Sequence, residues 1–177
     1  SLLFIASVAL LLSCKKDKND SEIIIEDLFK KDASGWTIVG DAQGGYVEAS
    51  YSSDGGVIDG YIFAEDDVTG GVWYFAAPST YKGNRTEYYN KTLHYSLFQE
   101  SNMSDQFERE DIIFKSGSKQ IFYLAPSYPT VEWSSYSVKI NDANGWYVGS
   151  FQGDHSPATE TEMKEVLSDV TDFWIRG

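Results

Sequence analysis

From Trp36 to Arg176 the chain is a succession of short β-prone runs cut off by Gly, Asn, Asp or Ser, and this punctuation is its strongest constraint. A helix would repeat its apolar residues every 3.6 positions, whereas a half-buried strand repeats them every second position. The second pattern dominates. Leu93, Tyr95 and Leu97 share one face against His94, Ser96 and Phe98, and Tyr136, Val138 and Ile140 oppose Ser135, Ser137 and Lys139. The runs expected to be strands are 35–39, 46–51, 60–65, 72–76, 92–98, 111–115, 120–124, 134–140, 146–151 and 172–176. In Val72-Trp73-Tyr74-Phe75 large residues follow one another without a break, which suits a strand buried on both faces. Pro78 then ends the ladder because it has no N–H to donate. Asn141-Asp142-Ala143-Asn144-Gly145 ends in residues tolerant of positive φ and reads as a hairpin turn.

One segment changes period. Met163, Val166, Leu167 and Val170 fall at i, i+3, i+4 and i+7, and Thr159-x-x-Glu162 supplies a capping box. A short amphipathic helix over 159–170 is expected, closing one end of an all-β sandwich. A body of this size within 177 residues buries enough surface to fold without disulfides or a structural metal.

Charge narrows the partners. Fourteen Lys+Arg stand against 27 Asp+Glu, a net −13, and a surface of that sign repels a phosphate backbone. Nucleic acid is excluded as a natural partner. Disorder is excluded too, because 42% of the residues are hydrophobic and 15% aromatic.

The first residues obey other rules. Leu2 to Leu12 form an apolar run too short to span a membrane but of the length of a signal-peptide core. Leu11-Leu12-Ser13-Cys14 resembles a bacterial lipobox, and the charged stretch after Cys14 resembles the tether of a Bacteroidetes-type surface lipoprotein. The resemblance implies a signal peptide over 1–13, begun upstream of Ser1, and lipid on Cys14, with a solvated tether over 14–24 and the folded domain over 25–177. Anchoring by several acyl chains is stable where one chain is marginal. Lys15 after the cysteine implies the outer membrane.

Within the body a second resemblance emerges from motifs taken in order. They are Gly35-Trp36-Thr37-Ile38-Val39-Gly40-Asp41-Ala42, Gly60-Tyr61-Ile62, Val72-Trp73-Tyr74-Phe75-Ala76-Ala77-Pro78, Tyr81-Lys82-Gly83-Asn84, Leu93-His94-Tyr95-Ser96-Leu97, Trp133-Ser134-Ser135-Tyr136, Gly145-Trp146 and Ile175-Arg176-Gly177. In this order they resemble the laminin B domain, also called laminin IV type A. The resemblance implies a jelly-roll-type antiparallel β-sandwich, galactose-binding-like, of extracellular setting and without catalytic residues. It also implies a further strand beyond Ile-Arg-Gly.

The catalytic constellations are missing from the sequence. His94 and His155 have no Cys partner or zinc-ligand spacing, the lone Cys14 is assigned to lipid, and no Gly-x-Ser-x-Gly elbow occurs. The enzymatic alternative is a glycoside hydrolase using two carboxylates, for which Glu65-Asp66-Asp67 and Glu108-Arg109-Glu110-Asp111 are the nearest approaches. No cofactor is expected. Structural calcium would need Asp54, Asp59, Asp66 and Asp67 to converge from two Gly-rich loops.

Binding is the remaining reading. Neighbours on a strand point to opposite faces, so Tyr88-Tyr89, Trp146-Tyr147 and Phe173-Trp174 cannot all bury both members, and some of these rings should stand outside the core. Tyr88, Tyr147 and Trp174 are the expected contact rings, for a glycan or for an envelope or surface protein; a structural or adhesion role is the alternative.

Overall fold

The computed structural model describes residues 5–6, 9–13, 25–41, 47–66, 70–101, 106 and 108–177. In chain order the strands are β1 (Ile5–Ala6), β2 (Ala9–Ser13), β3 (Glu26–Asp27), β4 (Thr37–Gly40), β5 (Val47–Glu48), β6 (Ser50–Ser52), β7 (Tyr61–Phe63), β8 (Trp73–Ala76), β9 (Thr92–Leu97), β10 (Gln99–Glu100), β11 (Ile112–Ser116), β12 (Lys119–Tyr123), β13 (Ser134–Lys139), β14 (Trp146–Gly149), β15 (His155–Pro157) and β16 (Asp172–Arg176). The helix α1 (Glu160–Leu167) lies between the last two.

The fold is mostly β. An eight-stranded antiparallel sheet runs β15-β14-β12-β11-β16-β8-β4-β5 and faces a four-stranded sheet, β13-β9-β2-β3. Two short pairs, β1-β10 and β6-β7, flank them. The main core lies between the large sheets, where Trp36, Phe75, Phe114, Trp146 and Phe173 meet Leu93, Tyr95 and Val138. Alternation along β16 sends Phe173 and Ile175 inward, while Trp174 turns to the outer face of the eight-stranded sheet. β8 is buried on both faces, as its unbroken apolar run requires: Trp73 and Phe75 enter the main core, and Tyr74 and Ala76 join a second cluster outside it.

The helix packs on β11 and β12 through Met163, Val166 and Leu167. Thr159 Oγ1 accepts the Glu162 N–H, and the Glu162 carboxylate accepts the Thr159 N–H at 2.9 Å. These bonds satisfy donors that the first turn leaves open. Replacing Thr159 with alanine should cost about 1 kcal/mol of stability. The check is a urea midpoint; an unmoved midpoint would mean that the cap does not support the fold.

Two expectations need revision. The 141–145 segment does not close a hairpin: it contains a 3-10 turn, with Gly145 at φ 76°, and leads from β13 in the four-stranded sheet to β14 in the eight-stranded one. An Asn-Gly signal specifies a left-handed residue, not the partner of the strand that follows. The 46–51 run is split into β5 and β6, which belong to different sheets. The apolar run expected to be a leader is, in the uncut chain, a strand: Ala9–Ser13 pairs with β9 on one side and, through Leu10 and Leu11, with β3 on the other. Cys14 and the tether over 14–24 lie outside the described residues.

Candidate functional site

The expected contact rings separate. Tyr88 is only 2% exposed and joins the main core, 6.3 Å from Phe114. The expectation of an accessible ring fails because Tyr88-Tyr89 sits at a 3-10 turn (Thr86–Tyr88), where the two-residue alternation of a strand does not apply. Burial pushes the Tyr88 hydroxyl up to about 12. Tyr89 is half-buried instead, donating to Asp142 at 2.5 Å with the Lys164 ammonium 4.7 Å above its ring.

Tyr147 and Trp174 share the outer face of the eight-stranded sheet. Register places Thr37, Ala76, Trp174, Ile113, Phe122, Tyr147 and Pro157 in one row across seven strands. The row is largely closed. Phe122 is fully buried beneath Tyr147, which stacks on it at 5.4 Å, and the Lys115 ammonium caps Trp174 at 3.6 Å. Burial lowers the Lys115 pKa, with Asp172 and Glu110 pulling it partly back. At the far end His155 sets its ring edge-on to both Phe122 and Tyr147 at 5.6 Å. Tyr147 and Trp174 thus serve first as the lid of a second apolar layer.

A cleft of about 480 Å³ opens where the helix meets the ends of β12 and β14. Its polar lining comes from Ser118, Gln120, Ser150, Asp154, Glu162 and Glu165. Its apolar lining is Val148 and Val166, which pack with the main core, whereas Phe122 and Tyr147 belong to the cluster on the other face of the sheet. Two of its three acids are already engaged. Glu165 pairs with Lys119, and Glu162 closes the cap. The Thr159 bonds hold the Glu162 carboxyl below the usual glutamate range, the opposite of what a general acid for glycoside cleavage requires.

The remaining candidates do not assemble. Among the described residues no three His, Cys, Asp or Glu side chains gather where they could hold a metal ion. Asp59 pairs with Lys30 at 3.7 Å, Asp54 accepts from Ser52 in its own loop, and Asp67 lies outside the described residues. Glu110 accepts the Phe151 N–H, and Asp111 is paired with Arg176. His94 Nδ1 lies 2.8 Å from the Ser137 hydroxyl on the polar face of β9 and β13, while His155 belongs to the ring stack at the opposite sheet.

Sequence reasoning overlooked a group of rings. Tyr61, Phe63, Phe98 and Trp133 are half-buried, touch one another in sequence at 5.7–6.0 Å, and belong to neither apolar cluster. Their signal was Trp133 following Val131-Glu132 in a polar stretch that has no alternation of its own.

The comparisons agree with this architecture. The L4b domain of human laminin alpha-2 has the same fold, with a TM-score of 0.60 over 79% of this chain and 80% of that one at 13% identity. A family model described as Laminin B (Domain IV) matches residues 74–177, from the centre of β8 to the end of β16; the Gly35–Ala42 motif falls ahead of it. With more than half of its length matched, the chain belongs to the laminin B (domain IV) family.

Proposed function

We propose that this chain is a non-catalytic binding module of the cell envelope, held at the outer membrane by lipid on Cys14, and that its cleft beside α1 takes glycan. The observation that carries the reading is the cleft itself: about 480 Å³, within the range of small-ligand sites, and lined by hydroxyl, amide and carboxylate groups. Sugar hydroxyls bond such groups, and Val148 and Val166 give the cleft its apolar wall. The family is one of extracellular, non-catalytic modules, which fits a surface role. No helix among the described residues is long and apolar enough to cross a membrane, so a helical anchor is not what the described part supplies.

Glycan arrays followed by titration calorimetry test the cleft. Gln120→Ala and Asp154→Asn should each weaken binding of an array hit by about tenfold, the value of one well-placed polar contact. Glu87→Gln, away from the cleft, should leave it unchanged. An array without saturable hits, or hits indifferent to both cleft substitutions, would remove the glycan reading. Labelling with a palmitate analogue tests the anchor separately: wild type should label and Cys14→Ala should not.

A further inference from the structure

On the side of the molecule that carries β6 and β7, three aliphatic side chains stand in solvent. Val57 and Ile58, in the loop from β6 to β7, are 47% and 58% exposed, and Val131, just ahead of β13, is 63% exposed. Two of these segments are joined through Trp133, whose indole N–H donates to the Gly55 carbonyl at 3.0 Å. Beneath them lies the ring group that neither core absorbs: Trp133 stands edge-on to Tyr61 at 5.9 Å and meets Phe98 at 6.0 Å. Scattered exposed aliphatics are ordinary, but a group of them over half-buried rings marks an interaction surface.

The loop is held in shape before anything binds. The Gly56 N–H donates to the Asp59 carbonyl at 3.0 Å, Ser52 Oγ donates to the Asp54 carbonyl at 2.9 Å, and Asp59 pairs with Lys30. At its base Gly60 is packed so tightly that a Cβ would stand 2.3 Å from the Phe29 carbonyl oxygen. Binding through such a loop carries little ordering cost.

Charge selects the partner. Asp54 and Glu132 are exposed beside the aliphatic tips, on a chain of net −13. An anionic lipid surface would be repelled by this rim, and insertion of Val57 and Ile58 would drag Asp54 toward the bilayer. We infer that the Val57–Ile58–Val131 surface docks a protein partner that presents an aliphatic centre within a rim of Lys and Arg. The surface shares no residue with the cleft beside α1, so it stands or falls independently of glycan binding.

The test uses the full chain and a short synthetic peptide alternating Val and Lys, read by fluorescence anisotropy, with thermal midpoints confirming that each variant is folded. Ile58→Asp and Val131→Asp should each weaken binding by about tenfold, although each adds a negative charge. Asp54→Asn combined with Glu132→Gln should weaken it by about threefold and flatten its salt dependence. Equal or tighter binding by Ile58→Asp would reduce the interaction to bulk charge and overturn the inference. Ile58-dependent binding to phosphatidylcholine–phosphatidylglycerol vesicles would overturn it in favour of a membrane, and no binding of the peptide by wild type would also overturn it.

Discussion

Trp36→Ala should lower stability by about 3–5 kcal/mol, a large share of the usual reserve of about 5–15 kcal/mol. The ring is 1% exposed and is met edge-on by Tyr81 at 5.5 Å, Phe173 at 6.2 Å and Phe29 at 6.4 Å, so its removal empties the centre of the main core. It also breaks a polar link. The indole N–H donates to Asp27 Oδ2 at 2.7 Å, and the same oxygen accepts from the Tyr81 hydroxyl at 2.9 Å, tying β3 to the core from two sides. Burial, then the Asp27 charge, raises the Tyr81 pKa strongly, so this hydroxyl remains a donor throughout the accessible pH range. Trp36→Phe separates the contributions. It keeps most ring contacts, loses the charged hydrogen bond, and should cost about 1.5–3 kcal/mol. Trp133→Ala, at a half-buried ring outside both clusters, should cost less than Trp36→Ala. Urea midpoints with unchanged slopes provide the measurement. Equal midpoint shifts for Trp36→Ala and Trp133→Ala would contradict the division between core and surface rings.

Sequence alone located most of the strands from β4 onward, though not the short β10 and β15, because most of them are half-buried, and half-burial writes itself as alternation. It located the helix because Thr159 and Glu162 advertise their bonds locally. It did not assign strands to sheets. The 141–145 turn resembles a hairpin in composition, yet β14 leaves it to pair with β12, a choice made by Phe122, Tyr147 and their neighbours rather than by the turn. Tyr88 was misplaced for a related reason, since a two-residue rule was applied to a 3-10 turn. The first apolar run was ambiguous in principle: a short apolar stretch such as Ala9–Leu12 serves a leader or a sheet equally well. Ala9–Ser13 sits between β9 and β3 in the uncut chain, so cleavage ahead of Cys14 would leave β9 paired only with β13 among these strands. The cleft was illegible because segments 118–120, 148–154 and 162–166 come together only through the packing of α1 on β11 and β12.

Asp111→Ala should cost about 3–5 kcal/mol, and the loss should vary little with pH near neutrality. Asp111 and Arg176 form an ion pair at 2.9 Å with side chains only 13% and 10% exposed, and Asp111 also accepts the Ala125 N–H at 2.6 Å. Removing the carboxylate takes away the ion-pair partner that Asp111 gives this buried guanidinium. Arg176→Met should behave differently. Burial pushes the Asp111 carboxyl above its ordinary value, opposed by Arg176 and by the Ala125 N–H, so taking the guanidinium away raises it further. A carboxyl whose folded pKa exceeds its unfolded value of about 3.9 binds its proton more tightly when folded, and stability then increases as pH falls from the folded pKa toward the unfolded one. The Arg176→Met loss, measured by urea denaturation, should therefore shrink as pH falls below neutrality and the orphaned carboxyl takes up a proton, whereas the Asp111→Ala loss, with no carboxyl left to protonate, should not shrink. Combining Asp111→Leu with Arg176→Met should recover most of the stability, because it deletes both buried charges together. Parallel pH dependence of the two single variants would show that this carboxylate is better solvated than its burial implies, and the pair would then be a surface contact rather than a determinant of the fold.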